Sequence, residues 1–149
     1  MDKFDTGIYM DKLQYKIYHE NKTHTPDDFP YNTYLCSIPL DFQSVNLHWH
    51  DEVEIIVIKK GIGIVSVDLT TYSVSAGDII FVLPGQLHSI SQKDNEIMEY
   101  ENILFQSSLL YSADSDPRTV GYFQPYFSRI HQHILSILSF FQHPLELLL

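Results

Sequence analysis

The chain has 149 residues, 44% hydrophobic and 13% aromatic, enough for one domain with a buried core. Nine Lys and Arg against 19 Asp and Glu give a formal charge of −10; this makes the segment alone a poor binder of nucleic acid, where affinity rests on basic side chains neutralising phosphates. The single cysteine, Cys36, excludes an internal disulfide and a cysteine-based zinc site. The start MDKFDTGIYM lacks the features of a signal peptide, and no apolar run approaches the ~18 residues that span a bilayer, so a cytoplasmic location is expected.

Residues 1–32 read as an N-terminal arm and turn-rich lead-in, ending in THTPDDFPYN, with a strand expected at Leu13–Tyr18. Residues 33–106 read as a run of short strands: TYLCSIP, VNLHWH, EVEIIVIK, GIVSV, YSV, DIIFVL, HSISQ and EIMEYENILF. Turn chemistry separates them at KKG (59–61), DLTT (68–71), SAGD (75–78), LPGQ (83–86) and KDNE (93–96), with Asp78 expected to stabilise its own turn. Many short strands at a spacing of about ten residues predict a sandwich or barrel.

Residues 107–149 change character. A loop to about 121 precedes Tyr126, Phe127, Ile130, Ile134, Ile137, Leu138 and Phe141, which recur at steps of three and four and predict one apolar face of a helix ending near Pro144. That stripe either packs on the barrel or forms a dimer interface. His131 and His133, two apart on a helix, face different ways and read as surface residues. Four leucines in the terminal LELLL make an unlikely natural end, so the protein is expected to continue past Leu149. The predicted fold class is all-β with a C-terminal α-helix.

The chemistry concentrates in HWHDEVEIIVIKKG. Residues two apart on a strand share a face, so His48, His50 and Glu54 point one way, while Val53, Ile55, Val57 and Trp49 point the other. A turn after Gly85 brings His88 back across the sheet. Two or three imidazoles with a carboxylate suit a divalent Zn, Ni, Mn or Fe ion. The same groups could instead hydrogen-bond one another, or a polar small molecule, in a dry pocket. Tyr9, Tyr15, Tyr18, Tyr31 and Tyr34 could stack on such a ligand or simply close one end of the barrel.

His48-x-His50, three residues, Glu54, six residues and Gly61 resembles the first motif of the cupin superfamily. Gly77, DIIFV, Leu83-Pro84-Gly85 and His88 resembles the second, with Leu83 where that motif has proline and Gln92 where it has asparagine. The resemblance covers about residues 44–92 and implies a cupin jelly-roll barrel. HWHDEVEIIVIKKGIG and SVSAGDIIFVLPGQLHSI, in an order of arm, barrel and helices, are similar to the N-terminal sensor domains of AraC-type bacterial transcription regulators. That similarity implies an effector bound inside the barrel at His48, His50, Glu54 and His88, a homodimer contact through the helix, and a DNA-binding domain following residue 149. It implies no catalysis. The alternative within the superfamily is a free-standing metal-dependent enzyme, a dioxygenase or isomerase, with the same four residues as metal ligands.

Overall fold

The computed structural model describes residues 12–26 and 29–110. A short helix, α1 (Lys12–Ile17), is followed by strands β1 (Tyr31–Ile38), β2 (Ser44–His48), β3 (Val53–Val67), β4 (Thr70–Ser75), β5 (Ile79–Val82), β6 (His88–Gln92) and β7 (Met98–Phe105), then a 3₁₀ turn at Ser107–Leu109. Every strand pairing is antiparallel, and β3 is the hub: it pairs with β5 and β7 over its first half and with β4 and β6 over its second. β1 extends one sheet beyond β7, and β2 extends the other beyond β6. The fold is a curled, mostly β half-barrel of the jelly-roll kind, as the strand spacing predicts.

Two expectations need correction. KKG (59–61) is not a turn between strands; β3 runs through it for 15 residues. The register shifts between Ile58 and Lys60, and Gly61 takes φ +76°. An extra residue in a strand bends it and moves later side chains to the opposite face. Ile56 and Ile58 are therefore buried before the bulge, and Val65 and Val67 after it. A Cβ on Gly61 would lie 1.8 Å from the carbonyl oxygen of Ile97, so the corner accepts only glycine.

The second correction concerns Leu13–Tyr18. Its alternation of apolar and polar residues reads as a strand, but Lys12–Ile17 is helical. The segment docks on Trp49 through backbone as well as side chain, the Tyr18 carbonyl accepting from the Trp49 amide at 3.0 Å. Tyr15 stacks on Trp49 at 4.7 Å with the rings 8° from parallel, while Ile17 remains 75% exposed.

Between the sheets lies a hydrophobic core of Ile38, Ile56, Ile58, Val65, Val67, Val74, Ile80, Val82, Ile90, Met98 and Tyr100. The turns match their sequence: Asp68 and Leu69 both have positive φ in a two-residue hairpin loop, and the Ser75 amide donates to Asp78 Oδ2 at 2.8 Å. The stripe from Tyr126 to Phe141 and the C-terminal LELLL lie outside the described residues. No helix among those described is long and apolar enough to cross a membrane.

Candidate functional site

β2 places His48 directly opposite His88 of β6. His50 follows on the link into β3, and Glu54 is the second residue of β3, paired with Val82 and Leu104 on the facing sheet. The turn that delivers His88 is itself held: Gln86 accepts from the Leu83 amide through Oε1 and donates to Asp68 through Nε2, each at 2.8 Å. The Gly85 amide donates to the carbonyl of His50 at 2.9 Å, tying the two histidine-bearing loops together. The four residues that parity and motif singled out do converge, with one ligand-type atom from each lying within 4.8 Å of all the others.

The hydrogen bonds fix how the imidazoles point. Nδ1 lies 2.7 Å from the carbonyl of Asn46 in His48, 3.2 Å from that of Glu52 in His50 and 2.9 Å from that of Gln86 in His88. A carbonyl only accepts, so each Nδ1 donates, and in a neutral ring Nε2 is left as an acceptor. Yet Nε2 of both His50 and His88 lies 2.9 Å from Glu54 Oε2, itself an acceptor. Positive charge must sit among them, either as protons on the rings or as a bound metal ion. Imidazoles oriented through Nδ1 by backbone carbonyls, with Nε2 free to ligate, are what a divalent metal site requires. The donor set fits such an ion.

Electrostatics say the same. Burial opposes ionisation of Glu54, but the charge of His88 and hydrogen bonds from His50 and His88 outweigh it and hold the carboxyl well below the usual range. For His50, burial disfavours the charged ring, and the hydrogen bond and charge of Glu54 more than offset it, raising its pKa. Burial and the neighbouring His88 lower that of His48.

Three contributors went unread in the sequence. Glu20 and His24, in the segment after α1, join at 2.8 Å, and Glu20 Oε2 also lies 3.7 Å from His48 Nε2. The His24 ring meets His50 edge-on at 5.6 Å, and its amide donates to the buried Glu52 at 3.2 Å. Glu52 Oε2 in turn lies 3.6 Å from His50 Nδ1. These residues sit in irregular chain, where no periodicity marks them. Trp49 faces away from the cluster as expected, and it fastens the arm there: its indole donates to the carbonyl of Tyr15 at 2.8 Å, and its backbone bonds Tyr18 and Glu20. The Tyr15 hydroxyl donates to the Gly85 carbonyl. A cavity of about 430 Å³ opens between arm and barrel, lined by Glu20, Thr23, His50, Glu52, Gln106 and Ser107 among others.

The model of the AraC-like ligand binding domain matches residues 37–147. The chain belongs to that family. An uncharacterized HTH-type transcriptional regulator, YdeC of Bacillus subtilis (strain 168), is 30% identical over 78 residues, covering 52% of this chain and 27% of that protein. The match to this curated relative therefore spans only about a quarter of the relative's length. Among solved structures, a cupin protein from Bacteroides fragilis superposes with a TM-score of 0.50 at 21% identity, over 58% of this chain and 77% of that one. A Cupin 2 conserved barrel domain protein from Salinispora arenicola CNS-205 gives 0.46 at 21% identity, over 65% and 72%. An AraC-like ligand binding domain on a cupin fold is thus what carries the His–Glu cluster.

Proposed function

We propose that the chain is the effector-sensing part of an AraC-type transcription regulator, with a divalent metal held by His48, His50, Glu54 and His88 as the anchor for a small-molecule effector. When bound, the metal would supply a fixed positive charge and open positions for a polar ligand atom. No reaction is required. The observation that carries this reading is the contact of arm with cluster: Glu20 bridges His24 of the arm and His48. An effector at the cluster then favours one placement of the arm over another. Such coupling is worth about 1–3 kcal/mol in typical systems and needs only a difference in affinity between the two placements.

Dimerisation through Tyr126–Phe141 and DNA binding by a domain beyond residue 149 belong to the same proposal, as does the division into arm (1–32), barrel (33–106) and helical segment (107–149). The acidic balance supports leaving DNA to another domain.

Trp49 is the only tryptophan and stacks on the arm, so its fluorescence reports arm docking. Titrating Zn²⁺ or Ni²⁺ into EDTA-stripped protein is expected to change that emission saturably, and His50→Ala to abolish the change. Emission indifferent to metal in wild type would contradict the reading, as would sequence-specific DNA binding by residues 1–149 alone. The second reading, a metal-dependent cupin enzyme, is favoured by the same four-residue donor set. It requires turnover that disappears in His50→Ala.

A further inference from the structure

The cavity between arm and barrel is a different space from the His–Glu cluster. Its walls are residues 19–23 of the arm, residues 50–52 of the link into β3 and residues 106–108 after β7. Of the four cluster residues only His50 borders it. At about 430 Å³ it has the size of a small-molecule site.

That wall carries negative charge without a cationic partner. Glu20, Asp51 and Glu52 supply three carboxylates, against the single ammonium of Lys22. Lys22 Nζ lies over the Tyr34 ring, 5.1 Å from its centre, and pairs with none of the three. Glu20 and Asp51 pair only with histidines, His24 at 2.8 Å and His19 at 3.7 Å being the nearest. Glu52 decides the matter. It is 6% exposed, and its Oε1 accepts one hydrogen bond, from the His24 amide at 3.2 Å. Among the described residues nothing donates to Oε2. His50 Nδ1 stands 3.6 Å from it and gives its proton to the Glu52 carbonyl at 3.2 Å instead. A buried carboxylate is normally paired or fully hydrogen-bonded. One left with an open oxygen on a cavity wall calls for a positive donor that enters the cavity.

The wall is not built for a metal ion. Among the described residues, His48, His50, Glu54 and His88 are the one group whose ligand atoms lie close enough to share an ion. The carboxylates of the cavity are spread out, and Thr23 and Ser107 add hydroxyls to the same wall. We propose that this cavity binds a small organic cation, with an ammonium group on Glu52 and its other polar groups on Glu20, Thr23 or Ser107. An ammonium brings three donors and no acceptor, and its hydrogen bonds to a carboxylate are charge-assisted. A ligand carrying a carboxylate is repelled. The site lies outside the barrel interior and needs neither a metal ion nor the effector-sensing reading.

Calorimetric titration of the EDTA-treated 149-residue chain tests this, with 1,4-diaminobutane, 4-aminobutan-1-ol, butane-1,4-diol and succinate as probes. At least one of the two amines is expected to bind about tenfold or more tightly than the diol and succinate. Glu52→Gln keeps an acceptor for the His24 amide but removes the charge, and is expected to weaken the amine about tenfold or more. Asp51, its side chain 84% exposed at the rim, gives a second variant that leaves the core alone: Asp51→Asn is expected to weaken the amine about threefold, and it decides the matter if Glu52→Gln does not fold. Glu96→Gln removes the same charge from an exposed turn off the cavity. Its affinity is expected to stay within about twofold of wild type, which separates a site from the general attraction of an acidic chain. Unchanged affinity in both cavity variants would overturn the inference. So would an equal loss in Glu96→Gln, a diol or succinate that binds as tightly as the amines, or no binding of either amine.

Discussion

Glu54 and His88 lie 34 positions apart in sequence, yet Glu54 Oε2 and His88 Nε2 meet at 2.9 Å, one from each sheet. Because His50 Nε2 approaches the same oxygen at 2.9 Å, this carboxylate closes the barrel electrostatically as well as sterically. Glu54 is only 3% exposed and His88 1%, so neither can turn to water if its partner is lost.

Truncation of Glu54 should therefore be costly. Glu54→Ala leaves two buried imidazoles without their counter-charge, and a loss of about 3–5 kcal/mol is expected in urea denaturation. Glu54→Gln should cost less, because its amide can donate to a neutral Nε2, but it should still weaken metal binding. Equal stability of Glu54→Ala and wild type would contradict the role given to this residue.

The corner of β3 makes a sharp contrast between two glycines. Gly61 and Gly77 both have positive φ, but a Cβ on Gly61 strikes the Ile97 carbonyl while one on Gly77 meets nothing within 4 Å. Gly77→Ala should cost only the backbone strain, about 1–2 kcal/mol. Gly61→Ala should cost clearly more, about 3 kcal/mol or beyond, since backbone must move as well. Thermal denaturation of the pair distinguishes them.

Trp49→Ala is expected to free the arm while leaving the barrel folded. It removes the stack with Tyr15 and the indole hydrogen bond to the Tyr15 carbonyl; the ring pair alone is worth about 0.5–1.5 kcal/mol beyond its buried area. Limited proteolysis should cut between residues 18 and 26 faster in the variant. Cleavage at the wild-type rate would mean that the arm is held elsewhere.

Acidity acts on the metal-free cluster in two directions. Glu54 is lowered, so its contribution is present above its unfolded value of about 4.3 and is lost as pH falls through the folded one. His50 is raised, so its contribution is full below about 6.5 and is lost as pH rises through its folded value. His48, lowered by burial and by His88, works against His50, so the clear signal is a difference: the urea midpoint of EDTA-treated wild type relative to His50→Ala should decline as pH rises past about 6.5. Added metal should reduce that decline, because ligation requires deprotonated rings. A wild-type advantage over His50→Ala that grows from about pH 6.5 to 8 without metal would refute the assignment.

Much of the site was legible in the sequence through the spacing of its motif. His48, His50 and Glu54 have one parity, but residues 50–52 bend between β2 and β3, so the four groups meet because the chain crosses from one sheet to the other and not because they share one strand face; the Pro-Gly turn before His88 marks the return. Local reading failed where tertiary context decides. Lys59–Gly61 carries turn chemistry, but a bulge at a sheet corner uses the same residues without ending the strand. Leu13–Tyr18 alternates like a strand, yet Lys12–Ile17 is helical and the arm's backbone pairs with the barrel at a single bridge, His19 with Trp49. Glu20, His24 and Glu52 sit in irregular chain, where only three-dimensional closure reveals that they join the cluster.

In the proposed site three imidazole Nε2 atoms and one carboxylate share a single cation. Calorimetric titration of Zn²⁺ into EDTA-stripped wild type, His50→Ala and His88→Ala decides whether they do. The expected result is one ion per wild-type chain and affinity lowered more than about 100-fold in each variant, with the fold checked by circular dichroism. Saturable binding of equal strength in all three proteins, or none in wild type, would contradict it.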